Sequence, residues 1–141
     1  MSKAKPAPAI KALITRPEKP AAVLAGLFRQ HGISSLCRPM FSYQAAITQS
    51  ACQALMGRFS RPIVIFVSAA AVDFANQAWP IKHWQVAQII AVGQATHNAL
   101  TKLNISAMSP EQQNSEGLLT LNALAQVSDQ DIVIVRGDGG R

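Results

Sequence analysis

Five consecutive apolar residues, Ile63-Val64-Ile65-Phe66-Val67, do most to limit what this chain can fold into. β-branched and aromatic side chains of this kind favour strands. Pro62 precedes the run and Ser68 follows it. A strand with one wetted face alternates apolar and polar residues. A run with no polar face belongs to a parallel strand covered on both sides. Parallel neighbours need crossover connections, which are usually helices. This short run therefore predicts an α/β fold with parallel sheets flanked by helices.

The remaining sequence alternates in the same way. Lys11 to Thr15 reads as a short strand ended by Arg16-Pro17. Pro17 suits a helix start and Glu18 complements the helix dipole. Val23, Leu24, Leu27 and Phe28 make an apolar stripe at helical spacing, and Gly32 suits the position after the helix end. Ile33 to Phe41 supplies a second strand, which Pro39 limits to an edge or a strand end. Ser42 to Ser50 reads as a linker. Ala51 to Phe59 reads as a helix with Leu55, Met56 and Phe59 inward. After the apolar run come a small-residue helix, Ala69 to Ala78, and a stop at Trp79-Pro80. Trp79 and Trp84 are expected to pack at a helix junction. Ile89 to Val92 is the next strand, and Gln94 to Leu103 the next helix. Asn104 to Ser109 has room for a short strand. Ser115 is a candidate N-cap for a helix carrying Leu118, Leu119, Leu121 and Leu124. Asp131 to Arg136 forms the last strand.

Composition removes several classes of function. Of 141 residues, 49% are hydrophobic and 14% charged, so the chain is globular and not disordered. The longest apolar stretch, Ile63 to Val72, is interrupted by Ser68 and is far short of the ~20 residues that span a bilayer. The first nine residues lack the apolar core of a signal peptide, so no membrane is expected and the default location is the cytoplasm. Net charge is +6, and Lys3, Lys5 and Lys11 supply half of it. Removing them leaves ten basic residues against seven acidic, a net +3. This mild excess suits an anionic small molecule. No basic run is interleaved with aromatics, which argues against nucleic acid. Cys37 and Cys52 form no CxxC and read as reduced, structural thiols.

In parallel sheets, ligands bind beyond the C-terminal strand ends. The unusual residues cluster there: Thr15-Arg16-Pro17, Ser68-Ala69, Gly93-Gln94-Ala95-Thr96, and Arg136 to Arg141. Arginine carries a permanent charge suited to carboxylate or phosphate. Helix N-termini after such strands add backbone donors for an anion. The glycine loop after Val135 matches neither G-x-x-x-x-G-K-[ST] nor G-x-G-x-x-G, so a phosphate-cradling NTPase is not expected. Plainer readings stand beside these. Ser68 can be an N-cap, Thr96 can cap a helix, Arg16 can be a solvated strand-end arginine, and the glycines can form a tight turn. His31, His83 and His97 lack metal-ligand spacing. No nucleophilic triad or acid–base pair stands out.

The order of these segments is more specific than any one of them. Leu13-Ile14-Thr15-Arg16-Pro17 is followed by Phe66-Val67-Ser68-Ala69-Ala70-Ala71-Val72 and then by Ala91-Val92-Gly93-Gln94-Ala95-Thr96. Asn114-Ser115-Glu116-Gly117-Leu118-Leu119 and Ile134-Val135-Arg136-Gly137-Asp138-Gly139-Gly140-Arg141 complete the series. From about Lys11 onward, this series resembles the N-terminal half of uroporphyrinogen-III synthase. The resemblance implies a HemD-like, flavodoxin-like pair of α/β domains, incomplete here. Residues 1–10 would be a mobile basic tail, 11–43 the first β-α-β of domain 1, and 44–141 most of domain 2. It implies closure of linear hydroxymethylbilane to uroporphyrinogen III, with loss of water and inversion of the last ring through a spiro intermediate. It implies no metal or cofactor, a monomer when complete, and hydroxymethylbilane synthase as a candidate partner. Motif matching carries substrate contacts onto Arg16, Ser68, Ala69, Gly93, Thr96, Arg136, Gly137 and Gly139.

Two departures accompany the resemblance. Ala70 stands where family members often carry Asn. The family's helix, strand and Tyr beyond the glycine loop have no counterpart before the sequence ends, and Tyr43 does not match that Tyr. The expectation is therefore a truncated chain with little or no activity alone. Two other readings remain open from the residues: a non-catalytic α/β module binding an anionic ligand, and an interaction domain that completes its sheet with another chain.

Overall fold

A computed structural model describes residues 10–125 and 127–137. All but Ile10 of the expected tail lies outside the described residues, as does Gly139. The chain forms two compact units, 1–44 and 45–141.

In the first unit, β1 (Ala12–Ile14) leads into α1 (Glu18–Gln30) and returns in parallel as β2 (Ser35–Cys37). Register pairs Leu13 with Leu36. The helix ends as its sequence predicts. Gly32 takes φ 68°, its N–H donates to the Arg29 carbonyl at 3.0 Å, and the Ile33 N–H donates to the Phe28 carbonyl at 2.8 Å. This is a Schellman closure, which needs a left-handed residue at that point. The second strand is shorter than Ile33 to Phe41, although on either side of Pro39 the Arg38 N–H donates to the Ile14 carbonyl at 2.9 Å and the Met40 N–H to the Thr15 carbonyl at 3.1 Å. The expected stripe on α1 is only partly covered. Ala21 is buried, whereas Val23 and Leu27 are exposed.

The second unit opens with α2 (Gln49–Met56), capped by the Thr48 hydroxyl, which accepts from the Ala51 N–H at 3.3 Å. Cys52 and Met56 face inward, and Leu55 is exposed. The expected inward Leu55 is thus corrected by one helical step: i and i+4 share a face, and i+3 from Cys52 lies at its margin. Next come β3 (Ile63–Phe66), α3 (Ala69–Ala78), a 3₁₀ turn at Ile81–His83, β4 (Gln88–Ala91) and α4 (Gln94–Lys102). Two one-turn helices, α5 (Ser115–Leu118) and α6 (Asn122–Ala125), precede β5 (Ile132–Val135).

The sheet is parallel with order β4-β3-β5, so the apolar run is the central strand. All four of its side chains are buried. One face carries Val64, Phe66, Ile89 and Ala91 and is closed by Cys52, Met56, Val72, Leu100 and Trp84. The other carries Ile63, Ile65 and Ile90, packed by Leu118, Leu121, Leu124 and Val127. Trp84 stacks between Phe66 and Trp79, and its indole N–H donates to the Trp79 carbonyl at 3.1 Å. The tryptophans do meet at the helix junction.

Two expectations give way. Asn104 to Ser109 contributes a single bridge, Met108 to Ile90, and not a strand. The expected helix from Ser115 to Leu124 is broken in two. Asn114, one residue earlier, is the N-cap, its Oδ1 accepting from the Gly117 N–H at 2.8 Å. The Thr120 hydroxyl then donates to the Gly117 carbonyl at 2.8 Å, a side-chain bond that competes with helix continuation. Of the four leucines expected on that helix, Leu119 is exposed.

Candidate functional site

Register decides which loops meet. Phe66 pairs with Ala91 on one side and Val135 on the other, so the three strands finish level. The Val92 N–H donates to the Phe66 carbonyl at 3.1 Å and the Val67 N–H to the Val135 carbonyl at 3.3 Å, closing the ladder. Beyond that line lie Ser68 and Ala69, Gly93 with the first turn of α4, and Arg136 with Gly137. Six of the eight expected contact residues therefore share one edge of the second unit. Arg16, exposed after β1, belongs to the first unit. Gly139 lies outside the described residues.

The two helices that start here are long enough to matter. α3 has ten residues and α4 nine. Each N-terminus carries about half a positive charge and several amides without intrahelical partners. Ser68 caps α3, its hydroxyl oxygen accepting from the Ala71 N–H at 3.1 Å. The plainer reading of Ser68 thus holds. The bond uses a lone pair and leaves the hydroxyl proton to give elsewhere. The N–H groups of Ala69 and Ala70 donate to no other described residue.

Gly93 is the N-cap of α4 and has no side chain to cap with. The missing oxygen comes from Gln113, whose Oε1 accepts from the Gln94 N–H at 3.0 Å. Reading the sequence alone missed Gln113. Its contact spans nineteen residues, and a glutamine in a polar loop carries no signal for it. Thr96 is the single buried polar residue among the described residues, 3% exposed. Its hydroxyl bonds to no other described residue, yet no side-chain oxygen in that state is sealed from solvent. It sits in the first turn of α4, three residues after Gly93. Gly117, in the matched Asn-Ser-Glu-Gly segment, lies against the Gln112 carbonyl, and any Cβ there would collide with it.

Among the described residues, this edge supplies donors and positive potential without a general base. Among the described residues, no three His, Cys, Asp or Glu side chains group as metal ligands. Arg136 and Gly137 are exposed at the end of β5. Such a surface can hold carboxylates in place, through amides, hydroxyls and one guanidinium. A protein-family model described as uroporphyrinogen-III synthase HemD matches residues 22–141 of the 141.

Proposed function

The chain belongs to the uroporphyrinogen-III synthase family, and from that premise we propose that the level strand ends of residues 45–141 bind the carboxylates of hydroxymethylbilane. The supporting observation is the coincidence of two helix N-termini, Ser68, Gly93, Thr96 and Arg136 on one sheet edge. The amides around Ala69 and those of the first α4 turn are the carboxylate donors. Thr96 and Ser68 add hydroxyl protons, and Arg136 with Gly137 and Gly139 adds charge and close backbone approach. Arg16 is a separate carboxylate contact on residues 1–44.

The chemistry asks mainly for position. In the family reaction the terminal hydroxyl leaves as water, an azafulvene cation forms, and the last ring closes inverted through a spiro intermediate. Closure without inversion needs no catalyst. Holding the chain bent for the inverted closure is an orientation effect, worth several powers of ten when geometry is right. Fixed dipoles near the leaving hydroxyl also favour the developing charge. A site built from amides and hydroxyls meets both needs with no acid–base pair.

We also propose that the 141 residues alone turn over little or no substrate. Tyr43, the sole tyrosine in the sequence, belongs to residues 1–44 and pairs edge-on with Phe41 at 5.8 Å. None of the proposed contacts is a strong proton donor. The test has two arms. Calorimetric titration with uroporphyrinogen III, kept anaerobic, should show saturable binding; no binding would overturn the substrate assignment. Chromatography of hydroxymethylbilane reactions should show the III isomer no higher than the uncatalysed background. More III isomer would overturn the low-activity proposal and support the substrate.

A further inference from the structure

At the opposite ends of the same strands lies a cavity of about 480 Å³, within the size range of small-ligand sites. Its walls include Gln53, Arg58, Arg61, Trp79 and Gln85, all in the second unit. About 13 Å of β3, at ~3.3 Å per residue, separates it from the edge that carries Ser68. We propose that this cavity binds a flat ring bearing one anionic head, of the nucleoside-monophosphate kind, with the ring against Trp79 and the head between Arg58 and Arg61.

Charge sets the ligand class. The cavity sits where α2 ends at Gly57 and α3 ends at Trp79. Each helix end contributes about half a negative charge. Two guanidiniums outweigh both and leave a net of about one positive charge. Among the described residues no carboxylate lines the cavity, and neither arginine side chain has an ion pair or hydrogen bond to another of them. Guanidiniums grip phosphate and carboxylate in two-pronged fashion and also stack on rings. The Trp79 ring stacks on Trp84, with centroids 6.1 Å apart and planes at 28°, and Trp84 in turn stacks on Phe66. A ring fixed in this way can receive a second ring at little entropic cost. The side-chain amides of Gln53 and Gln85, unbonded to other described residues, can read polar edges.

Arg61 gives a second, independent reason. Its φ is 52°, a conformation that glycine adopts freely and other residues rarely do. The Arg61 carbonyl is locked by Gln130 Nε2 at 2.8 Å, and the Ile63 N–H donates to the Asp131 carbonyl at 2.9 Å. A long charged side chain thus stands where the backbone favours glycine, and strain of this kind marks functional positions. The plain alternative is that both arginines are solvated charges that settle helix ends.

Calorimetry on the full chain with AMP, adenosine and inorganic phosphate separates the two. AMP should bind saturably, with adenosine and phosphate each about tenfold weaker or more, since each keeps half the contacts. Arg61→Gly should weaken AMP about tenfold while its thermal midpoint holds or rises, because glycine relieves the backbone. Arg58→Gln, at an exposed position, should weaken AMP without lowering the midpoint. No saturable heat with AMP, or unchanged affinity in both Arg61→Gly and Arg58→Gln, would overturn the proposal. So would phosphate alone binding as tightly as AMP, because Trp79 would then have no part. These outcomes are independent of uroporphyrinogen III binding at the other edge.

Discussion

In residues 45–141, β3 has a neighbour on each side and apolar clusters on both faces, and all four of its side chains are buried. Residues 1–44 use the same parallel β-α-β unit, yet only Ile14 and Ala21 among their described hydrophobics are buried. Leu13, Val23, Leu27, Met40 and Phe41 are exposed there. A helix can cover one face of a two-stranded sheet and no more. Near ~40 residues a unit also has too little interior to stabilise itself. The second unit shows a milder form of this within itself. Ile132 and Ile134, on the outer strand β5, are exposed on the face where their register partners Ile63 and Ile65 are buried. Burial in this fold follows the number of strands and helices around a residue, and hydrophobicity alone does not secure it.

The contrast breaks most readily at the central strand. Phe66→Ala should cost about 3–5 kcal/mol, the loss of a large buried ring, and Leu13→Ala at the exposed β1 position no more than about 0.5 kcal/mol. Urea unfolding followed by tryptophan fluorescence reads the first directly, since Trp84 stacks on Phe66. Comparable losses from the two substitutions would end the distinction. Hydrogen exchange sharpens it further: β3 amides should exchange only with global unfolding, and β1 amides by local opening. Removing the Thr96 hydroxyl as Thr96→Val should leave unfolding nearly unchanged and weaken uroporphyrinogen III about tenfold, the value of one hydrogen bond to a charged group. A fall in stability with intact binding would make Thr96 purely structural. Ser68→Ala should cost about 1 kcal/mol through loss of the α3 cap.

The smallest effect concerns pH. Burial pushes the Cys52 thiol above its ordinary value, because the thiolate is poorly solvated there. The unfolded chain therefore releases this proton at lower pH than the folded one. The contribution is fully present below the unfolded pKa and is lost as pH rises toward the raised folded value. Cys52→Ala should flatten the alkaline decline in stability, and iodoacetamide should reach Cys52 only on unfolding. An unchanged alkaline slope would show that Cys52 does not cause it.

The sequence made the second unit legible because its strongest signals were local. An unbroken apolar run, a serine before a helix and a glycine after a strand each specify one nearby geometry. The α1 terminus at Gly32 was legible for the same reason. The misses involve competition or distance. Asn114 and Ser115 are adjacent cap residues, and pattern alone does not choose between them. Thr120 diverts a carbonyl and splits a helix that its leucines support. Gln113 reaches α4 from nineteen residues away. The Arg61 backbone carries no sequence mark, since arginine is unremarkable in a loop and the positive φ emerges only with the strand beside it.

Nuclear magnetic resonance can locate the substrate on one edge of the sheet or the other. The ¹⁵N-labelled chain would be titrated anaerobically with uroporphyrinogen III and its amide shifts followed. Substrate binding at the level strand ends should make Ser68 to Ala71, Gly93 to Thr96, Arg136 and Gly137 move together and saturate, with Arg58, Arg61 and Gln85 still. Shifts confined to the opposite strand ends, or no saturable shift at Ser68 and Gly93, would contradict it.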